Sequence, residues 1–424
     1  MTNPGLGTWQ VADDGVAAGS LRVVWLAPAY PWAGQPVGGY FYRTQAAALA
    51  RQGVEVTVVA AVPHAPWPLS RLRPRWRAYR DTPSDAVEAG VRVIRPRYPN
   101  LPGQPRWARA DRLVASAAWR SRDAWAGAEL VHGHSAVEGL AAWRLAARAG
   151  LPLVLTFHGS DINTWPERRP DRRDDLVAAI RDAAMVITVS EALAARVSEL
   201  AGVKALALPL GSDHRDIAAR RLDRAAARRA LGIAEDRVVA LFVGHLLEEK
   251  GARVFADAML AVGEPYLGVL VGGGPEAGYA TDRPGAAGML RYTGELPHDD
   301  VVRHMSAADV LVLPSYAEGL PTVVVEAGSL RLPVIATAVG GLPKLLADGR
   351  GMLLEAPDPA GVASALRALA ADPEAAAAMA ARLQAHVWAA YDVDTNAARL
   401  LAAYRAAIAR VPSGHGAARN TKRG

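Results

Sequence analysis

Short apolar strands alternate with helices twice along this chain, and this repeated rhythm limits the possible folds more than any other feature. In the first series, an apolar run at residues 21–28 leads through a glycine-containing loop to a helical pattern at 40–52 and a second strand at 54–59. Similar runs follow at 129–132, 151–157 and 185–189. Strands that are apolar on both faces and alternate with helices are typical of a parallel sheet covered on both sides.

The rhythm restarts at residue 238, with further strands expected at 267–271, 309–313 and 333–336. The sequence therefore predicts an α/β fold of two Rossmann-like, doubly wound domains, which suits a length of 424 residues. We expect an N-terminal domain over 21–209 and a C-terminal domain over 210–394, with a last helix at 395–410 returning to the first domain. The tails, 1–20 and 411–424, are expected to be disordered.

The positive charge is concentrated in the first third of the chain. Residues 1–150 hold 18 arginines and no lysine against ten acidic residues, whereas the whole chain has a formal charge of only +6. We therefore expect any anionic partner to meet the N-terminal domain. The chain has no cysteine, which excludes disulfides, thiolate metal sites and a cysteine nucleophile.

No part of the sequence resembles a secretion signal or a membrane span. Residues 1–20 lack a basic start followed by an apolar core, and no apolar run approaches the length that crosses a bilayer. The sequence predicts a cytoplasmic protein.

Residues 63–110 break the alternating pattern, because they are rich in proline, arginine and aromatic residues. One interpretation is a solvated loop whose tryptophans fill the adjacent core. Another is an insertion that contacts phosphates or lipid headgroups. Interleaved aromatic and arginine residues also suit single-stranded nucleic acid, but no recognisable nucleic-acid module accompanies them, so we do not expect a nucleic-acid partner.

The strongest chemical signal follows the strand at 309–313. Glu318 lies in the loop after that strand, and Glu326 lies eight residues later, about two turns into a helix that begins near Pro321. The unpaired backbone N–H groups among residues 320–323, other than at Pro321, would form an anion site suited to a diphosphate. Glu326 could accept hydrogen bonds from vicinal hydroxyls such as those of a ribose.

Three weaker candidates also follow strands. Gly244 would let the backbone approach a ligand, while His245 and Lys250 could neutralise a pyrophosphate. Gly273 belongs to the Gly-Gly-Gly-Pro segment at 272–275, which has the same use, although a simple turn explains it nearly as well. His158 ends a strand beside Asp161, where cleft residues belong.

Several catalytic patterns are missing from the sequence. It contains no dinucleotide fingerprint, Walker A loop, nucleophile elbow or His-Glu-x-x-His helix. Asp392 and Asp394 match the metal-binding pattern Asp-x-Asp, but their position just before the last helix indicates a helix cap instead.

Together these residues resemble the retaining nucleotide-sugar glycosyltransferases of family 4, which have the two-domain GT-B fold. The resemblance covers about residues 21–408 and is most specific in the Glu-x7-Glu pair with its Gly-Leu-Pro-Thr centre. The N-terminal half looks most like bacterial exopolysaccharide or teichuronic-acid-type transferases. The other matching segments are Gly38 and Gly39, 156–161, 244–251, 272–275, 339–343 and 388–404.

The resemblance implies roles for particular residues. Glu318 would hold the transferred sugar, His158 would line the sugar pocket, and Lys250 would neutralise the diphosphate. His245 stands where the family commonly has arginine. The residues implied in donor binding are Gly38, Gly39, Gly244, His245, Lys250, Gly273, Gly319, Leu320, Pro321, Thr322 and Glu326.

The resemblance also implies the reaction. A sugar would pass from a UDP- or GDP-sugar to a saccharide or lipid-linked acceptor with retained configuration, and the leaving phosphate would take the acceptor proton. No cofactor or metal would be required. The basic N-terminal domain would face an anionic acceptor or the inner membrane surface. The alternative is a catalytically silent GT-B scaffold that binds a sugar nucleotide or a partner enzyme.

Overall fold

The protein consists of two Rossmann-like domains, each built on its own twisted parallel sheet. This architecture is seen in a computed structural model. The structure describes residues 20–32, 38–64, 67–68, 71, 74–99, 110–283 and 285–410. The predicted α/β fold class is thereby confirmed, whereas the predicted tails lie almost entirely outside the described residues.

The N-terminal sheet has eight strands in its described part, in the order β10-β9-β8-β7-β1-β2-β5-β4. Neighbours pair in parallel, except that the edge strand β4 runs antiparallel to β5. Two further short strands, β3 and β6, pair with each other beside the sheet. The strands are β1 (Arg22–Leu26), β2 (Glu55–Val59), β3 (Val62–His64), β4 (Asp85–Glu88), β5 (Val91–Ile94), β6 (Arg97–Pro99), β7 (Leu130–His134), β8 (Leu153–Phe157), β9 (Met185–Thr188) and β10 (Leu206–Ala207).

Helices cover both faces of this sheet, so its central strands are buried throughout. Every residue of β7 and β8 is buried, and both strands begin with apolar residues. The helices are α1 (Tyr40–Arg51), α2 (Pro74–Asp81), α3 (Ala110–Arg120), α4 (Ser135–Ala149), α5 (Ser160–Asn163), α6 (Trp165–Arg168), α7 (Pro170–Asp182) and α8 (Glu191–Ala201).

Part of the region expected to be an insertion belongs to the main sheet. β5 pairs with β2, and β4 forms the antiparallel edge, so residues 85–94 extend the sheet. The interpretation of the whole of 63–110 as a solvated loop is wrong for these strands. These strands are hard to recognise in the sequence because they are short and β5 contains an arginine. Val91, Val93 and Ile94 are buried, whereas Arg92 is exposed.

The C-terminal sheet has six parallel strands in its described part, in the order β13-β12-β11-β14-β15-β16. They are β11 (Val238–Val243), β12 (Tyr266–Val271), β13 (Leu290–Gly294), β14 (Val310–Leu313), β15 (Val334–Thr337) and β16 (Met352–Leu354). The remaining helices are α9 (His214–Ala219), α10 (Arg224–Leu231), α11 (Ala252–Val262), α12 (Ala277–Thr281), α13 (His298–Ala307), α14 (Thr322–Ser329), α15 (Leu342–Leu346), α16 (Pro359–Ala371), α17 (Pro373–Ala390) and α18 (Val393–Ala409).

Two helices, α9 and α10, precede the first strand of the C-terminal sheet. Asp223 lies between α9 and α10, and its side chain accepts a hydrogen bond from the amide of Ala226. An aspartate that caps a new helix start is favoured over one inside a helix, because its oxygen satisfies a free amide there.

The last helix, α18, packs against α1 of the N-terminal domain. Trp25 Nε1 donates a hydrogen bond to Tyr404 Oη at 3.0 Å, and Tyr404 Oη lies 2.7 Å from His132 Nδ1. Asp392 caps α18 by accepting from the amide of Thr395 at 2.8 Å, which confirms the predicted cap. The domain boundary near residue 210 stays a prediction.

None of the described helices is both long and apolar enough to span a membrane.

Candidate active site

A cleft of about 460 Å³ opens between the two domains, near the carboxyl ends of their central strands. Its N-terminal wall includes Glu138 and His158, and its C-terminal wall includes His245, Lys250 and Glu318. The carboxyl ends of parallel strands are where doubly wound domains bind ligands, because the loops there converge.

Lys250 and Glu318 form an ion pair inside this cleft. Lys250 Nζ lies 2.8 Å from Glu318 Oε2, and Ser315 Oγ donates to Glu318 Oε1 at 2.7 Å. The Glu318 side chain is only 7% exposed, whereas that of Lys250 is 26% exposed. Both carboxylate oxygens of Glu318 therefore have a partner. Lys250 is the more accessible member of the ion pair.

The two domains touch through backbone beside this pair. A Cβ added to Gly319 would lie 1.9 Å from the carbonyl oxygen of His158, and one added to Gly159 would lie 3.2 Å from the amide of Gly319. Only glycine permits this approach at Gly319. The structure therefore represents a closed arrangement of the domains.

Three stacked histidines connect the cleft with the core of the N-terminal domain. His158 Nε2 and His134 Nδ1 share a hydrogen bond of 3.3 Å, and the ring of His134 lies 4.0 Å from that of His132. Burial lowers the pKa of His158 and that of His132 to about 3. Desolvation also lowers the pKa of His134. The three rings are therefore neutral at pH 7.

Two carboxyl groups on the N-terminal wall are held towards their neutral forms. Burial raises the pKa of Glu138 to about 7, and the nearby Asp161 adds to the effect. Burial also raises the pKa of Asp161 to about 6, against the lowering effect of the His158 and Gly159 amides that donate to it. Glu138 lines the cleft and forms no ion pair with any described residue.

Glu326 lies outside the lining of this cleft, in a second cluster that also joins the domains. His298 Nε2 is 3.2 Å from Glu326 Oε1, although the two are not aligned for a hydrogen bond. Arg220 Nη1 donates to His298 Nδ1 at 3.1 Å, and the ring of Tyr40 stacks on that of His298. Tyr40 comes from the N-terminal domain, and the other three residues come from the C-terminal domain.

The remaining predicted residues surround the cleft rather than line it. Pro321 caps α14 and Thr322 is its first residue, and the amides of Thr322 and Val323 precede the first intrahelical hydrogen bond, which Val324 donates to the Pro321 carbonyl. The loops of Gly244 and Gly273 lie against each other, because the amide of Leu246 donates to the Gly273 carbonyl at 2.9 Å. Gly38 and Gly39 form the turn before α1. The cleft lining brings together only His158, His245, Lys250, Glu318, Gly319 and Leu320 of the predicted set.

Sequence reasoning missed four residues of these two clusters. Tyr40, Arg220 and His298 meet only because distant segments converge, and nothing in their local patterns marks them. Glu138 carries a weak signal, since a glutamate in the first turn of an otherwise apolar helix is costly to bury.

The described residues contain no group of three or more histidine, aspartate or glutamate side chains placed to hold a metal ion.

Two facing Rossmann-like domains with a cleft at the carboxyl ends of their strands define the GT-B class of glycosyltransferases. The sequence profile described as Glycosyltransferase Family 4 matches residues 39–210, and the profile described as Glycosyl transferases group 1 matches residues 223–385. A Bacillus subtilis (strain 168) protein that carries the name teichuronic acid biosynthesis glycosyltransferase TuaC is 33% identical over 339 residues, which cover 79% of this chain and 85% of that protein. The chain belongs to glycosyltransferase family 4, and it is an enzyme of the transferase class.

Solved structures share the same fold at lower identity. Sucrose-phosphate synthase from Thermosynechococcus elongatus superimposes with a TM-score of 0.76 at 22% identity, over 92% of this chain and all of that one. Anabaena Alr3699/HepE in complex with UDP-glucose gives a TM-score of 0.70 at 20% identity, over 91% and 99% of the two chains. At these identities the likeness establishes the GT-B fold.

Proposed function

We propose that this enzyme transfers a sugar, with retained configuration, from a nucleoside diphosphate sugar to a saccharide or lipid-linked acceptor of the bacterial cell envelope. The observation that carries the proposal is the meeting of His158, Lys250 and Glu318 in one interdomain cleft, beside the first turn of α14. The similarity to TuaC, named for teichuronic acid biosynthesis, supports a polysaccharide acceptor.

The cleft suggests how a donor would be held. Lys250 and the backbone N–H groups of Gly319, Leu320 and Thr322 would neutralise the diphosphate, because ammonium and helix amides both stabilise phosphate oxygens. Glu318 and the neutral His158 would bind the transferred sugar. Glu326 would accept hydrogen bonds from the ribose hydroxyls. The loops of Gly38, Gly39, Gly244, His245 and Gly273 would lie along the nucleotide.

In the proposed reaction, the bond between the anomeric carbon and the donor phosphate oxygen breaks while the acceptor oxygen bonds to the same face of that carbon. The acceptor proton passes to the departing diphosphate. The protein supplies orientation and positive charge rather than a nucleophile. Because His158 is neutral, the positive charge beside Glu318 in the cleft comes from Lys250.

A thermal-shift panel tests the donor. We expect a UDP- or GDP-sugar to raise the melting temperature of the wild-type chain, and Glu326→Ala to reduce that shift strongly. The matched control is Glu355→Ala, which removes an exposed carboxylate of the same domain outside the cleft. Slow hydrolysis of the protecting nucleotide sugar separates an enzyme from a silent binding scaffold. Absence of protection by every nucleotide sugar, together with unchanged cellular glycan in the Glu326→Ala strain, would refute the proposal.

We further propose that the N-terminal domain faces an anionic membrane surface in the cytoplasm. The support is the arginine surplus of residues 1–150 and the exposure of Trp67, which is 77% accessible. Arg71 and Arg77 are exposed in the same region. Arginines near an anionic bilayer contribute about 1 kcal/mol each, and an exposed tryptophan suits the headgroup layer.

A further inference from the structure

An aromatic stack joins the two domains next to the helix that carries Glu326. The rings of Tyr40 and His298 are nearly parallel, at 16°, with centroids 4.0 Å apart. Tyr40 is the first residue of α1, and His298 is the first residue of α13. The His298 side chain is only 14% exposed and that of Glu326 only 12%, so the cluster is largely enclosed.

The partners of His298 determine which of its ring nitrogens carries the proton. A guanidinium donates hydrogen bonds and cannot accept them, so Nδ1 must be the acceptor of the bond from Arg220. The neutral ring therefore carries its proton on Nε2. That N–H lies 3.2 Å from Glu326 Oε1 without being aligned to it, and Nε2 has no hydrogen-bond partner among the described residues. A buried donor without a partner is costly, which indicates that another group completes the site.

Arg220 is itself fixed from several sides. It pairs with Asp216 and Asp299, and its Nη2 lies 3.5 Å from Tyr40 Oη. His298 is consequently held from one side by Arg220 and from its ring face by Tyr40. Moving the N-terminal domain away would remove the second restraint.

We propose that Tyr40 and His298 complete the ribose site of the donor when the domains close. This inference rests on the proposed function, which places the ribose at Glu326. In it, His298 Nε2–H donates to a ribose hydroxyl while Glu326 accepts from the ribose diol. Tyr40 is a positioning residue, because it acts through the His298 ring rather than on the ribose. The N-terminal domain, through Tyr40, thereby contributes to the affinity for the donor.

The test measures dissociation constants of uridine or guanosine diphosphate, whichever protects the wild-type chain, and of its 2′,3′-dideoxy analogue. An aromatic stack of this kind corresponds to about a three- to tenfold change in affinity. We expect Tyr40→Ala and His298→Ala each to weaken diphosphate binding to this extent, and the double variant to be no weaker than the worse single variant. Tyr40→Phe keeps the ring and should bind as the wild type does.

The dideoxy analogue separates a ribose effect from general damage. The analogue lacks the diol, so we expect it to bind more weakly than the diphosphate. Its dissociation constant should be the same for the wild type, Tyr40→Ala and His298→Ala. Equal losses for both nucleotides in Tyr40→Ala would overturn the inference, as would an unchanged affinity for the diphosphate.

Glu326→Ala shows which hypothesis has failed. If this variant loses affinity for the diphosphate and Tyr40→Ala does not, only the inference is wrong. If Glu326→Ala binds the diphosphate as the wild type does, the proposed function fails and the inference fails with it.

Discussion

The ion pair between Lys250 and Glu318 joins two groups that the proposed function assigns to different parts of the donor. Lys250 would neutralise the diphosphate, and Glu318 would hold the sugar, yet the two side chains lie 2.8 Å apart. Donor binding would therefore replace this ion pair with a contact between Lys250 and the diphosphate and a contact between Glu318 and the sugar. Because Glu318 also accepts from Ser315, it keeps one partner during that exchange.

Removing the cation alone should destabilise the fold more than removing both charges. Lys250→Met leaves the buried Glu318 carboxylate without a counter-ion, and we expect a loss of roughly 1–3 kcal/mol in the free energy of unfolding, less than for a fully buried pair because Lys250 is partly exposed. Adding Glu318→Gln should restore most of that stability but no transferase activity. Urea unfolding of the two variants measures the difference.

Lys344→Met is the matched control. It breaks the exposed pair with Glu191, in which both side chains are more than half accessible, so its cost should stay below about 1 kcal/mol. If the Lys250→Met, Glu318→Gln double variant is no more stable than Lys250→Met, the unpaired Glu318 carboxylate is not the cause of the destabilisation.

At this scale, the sequence predicted the residues that stand in compact motifs and missed those assembled by the fold. Glu318, Lys250 and His158 follow strands, and parallel strands bring their ends together, so their convergence could be inferred. Tyr40 and His298 are 258 positions apart, and no local spacing links them. Burial also sets the protonation of His158 and Glu138, and burial is known only from packing.

Among the elements, α2 belongs to the region that the membrane proposal concerns. Arg97 anchors α2 by donating to the Thr82 carbonyl at 2.7 Å and to the Arg80 carbonyl at 3.2 Å. Arg80 is neutralised by Asp81. Arg71 and Arg77 form no ion pair with any described residue, so their charges are available to a partner.

Anionic vesicles should bind the wild-type chain more tightly than the Arg71→Gln, Arg77→Gln double variant. Two arginines near the surface correspond to about a ten- to thirtyfold change in partitioning. Co-sedimentation with vesicles of increasing phosphatidylserine content measures this. The control, Arg229→Gln, removes an exposed arginine from α10 of the other domain. Binding that does not respond to phosphatidylserine, or to the two arginines, would refute the membrane proposal.

The elements also show where periodicity is informative and where it fails. Buried central strands such as β7 and β8 begin with apolar runs, Leu130–Val131 and Leu153–Leu155, so they could be located from sequence. β4 and β5 are four residues each, and the edge strand β4 has no fully buried residue, so the hydrophobic signal disappears there. Pairing places these two strands in the sheet, since β5 pairs with β2 and β4 pairs with β5.

At the scale of the whole molecule, the close contact between His158 and Gly319 implies that closure of the two domains requires a residue without a side chain at position 319. We expect Gly319→Ala to fold but to keep the domains apart, since its methyl carbon would lie 1.9 Å from the His158 carbonyl oxygen. The variant should show a larger radius of gyration by small-angle X-ray scattering and should lose transferase activity. Circular dichroism should match that of the wild type.

Gly361→Ala is the control for this prediction. A Cβ at Gly361 comes no nearer than 3.4 Å to a neighbouring atom, and the residue lies in α16 of the C-terminal domain. It should therefore leave scattering and activity unchanged. If Gly319→Ala scatters and turns over as the wild type does, the contact does not govern closure.

The return of α18 to the N-terminal domain affects how the chain matures on the ribosome. Trp25 and Tyr404 are hydrogen-bonded across 379 positions, and both belong to the cluster that buries one face of β1. At about 5–20 residues per second, the interval between synthesis of β10 and of α18 lasts roughly 10–40 seconds. Throughout that interval the apolar face that α18 covers lacks this helix, so we expect it to be open to chaperones until the last helix emerges.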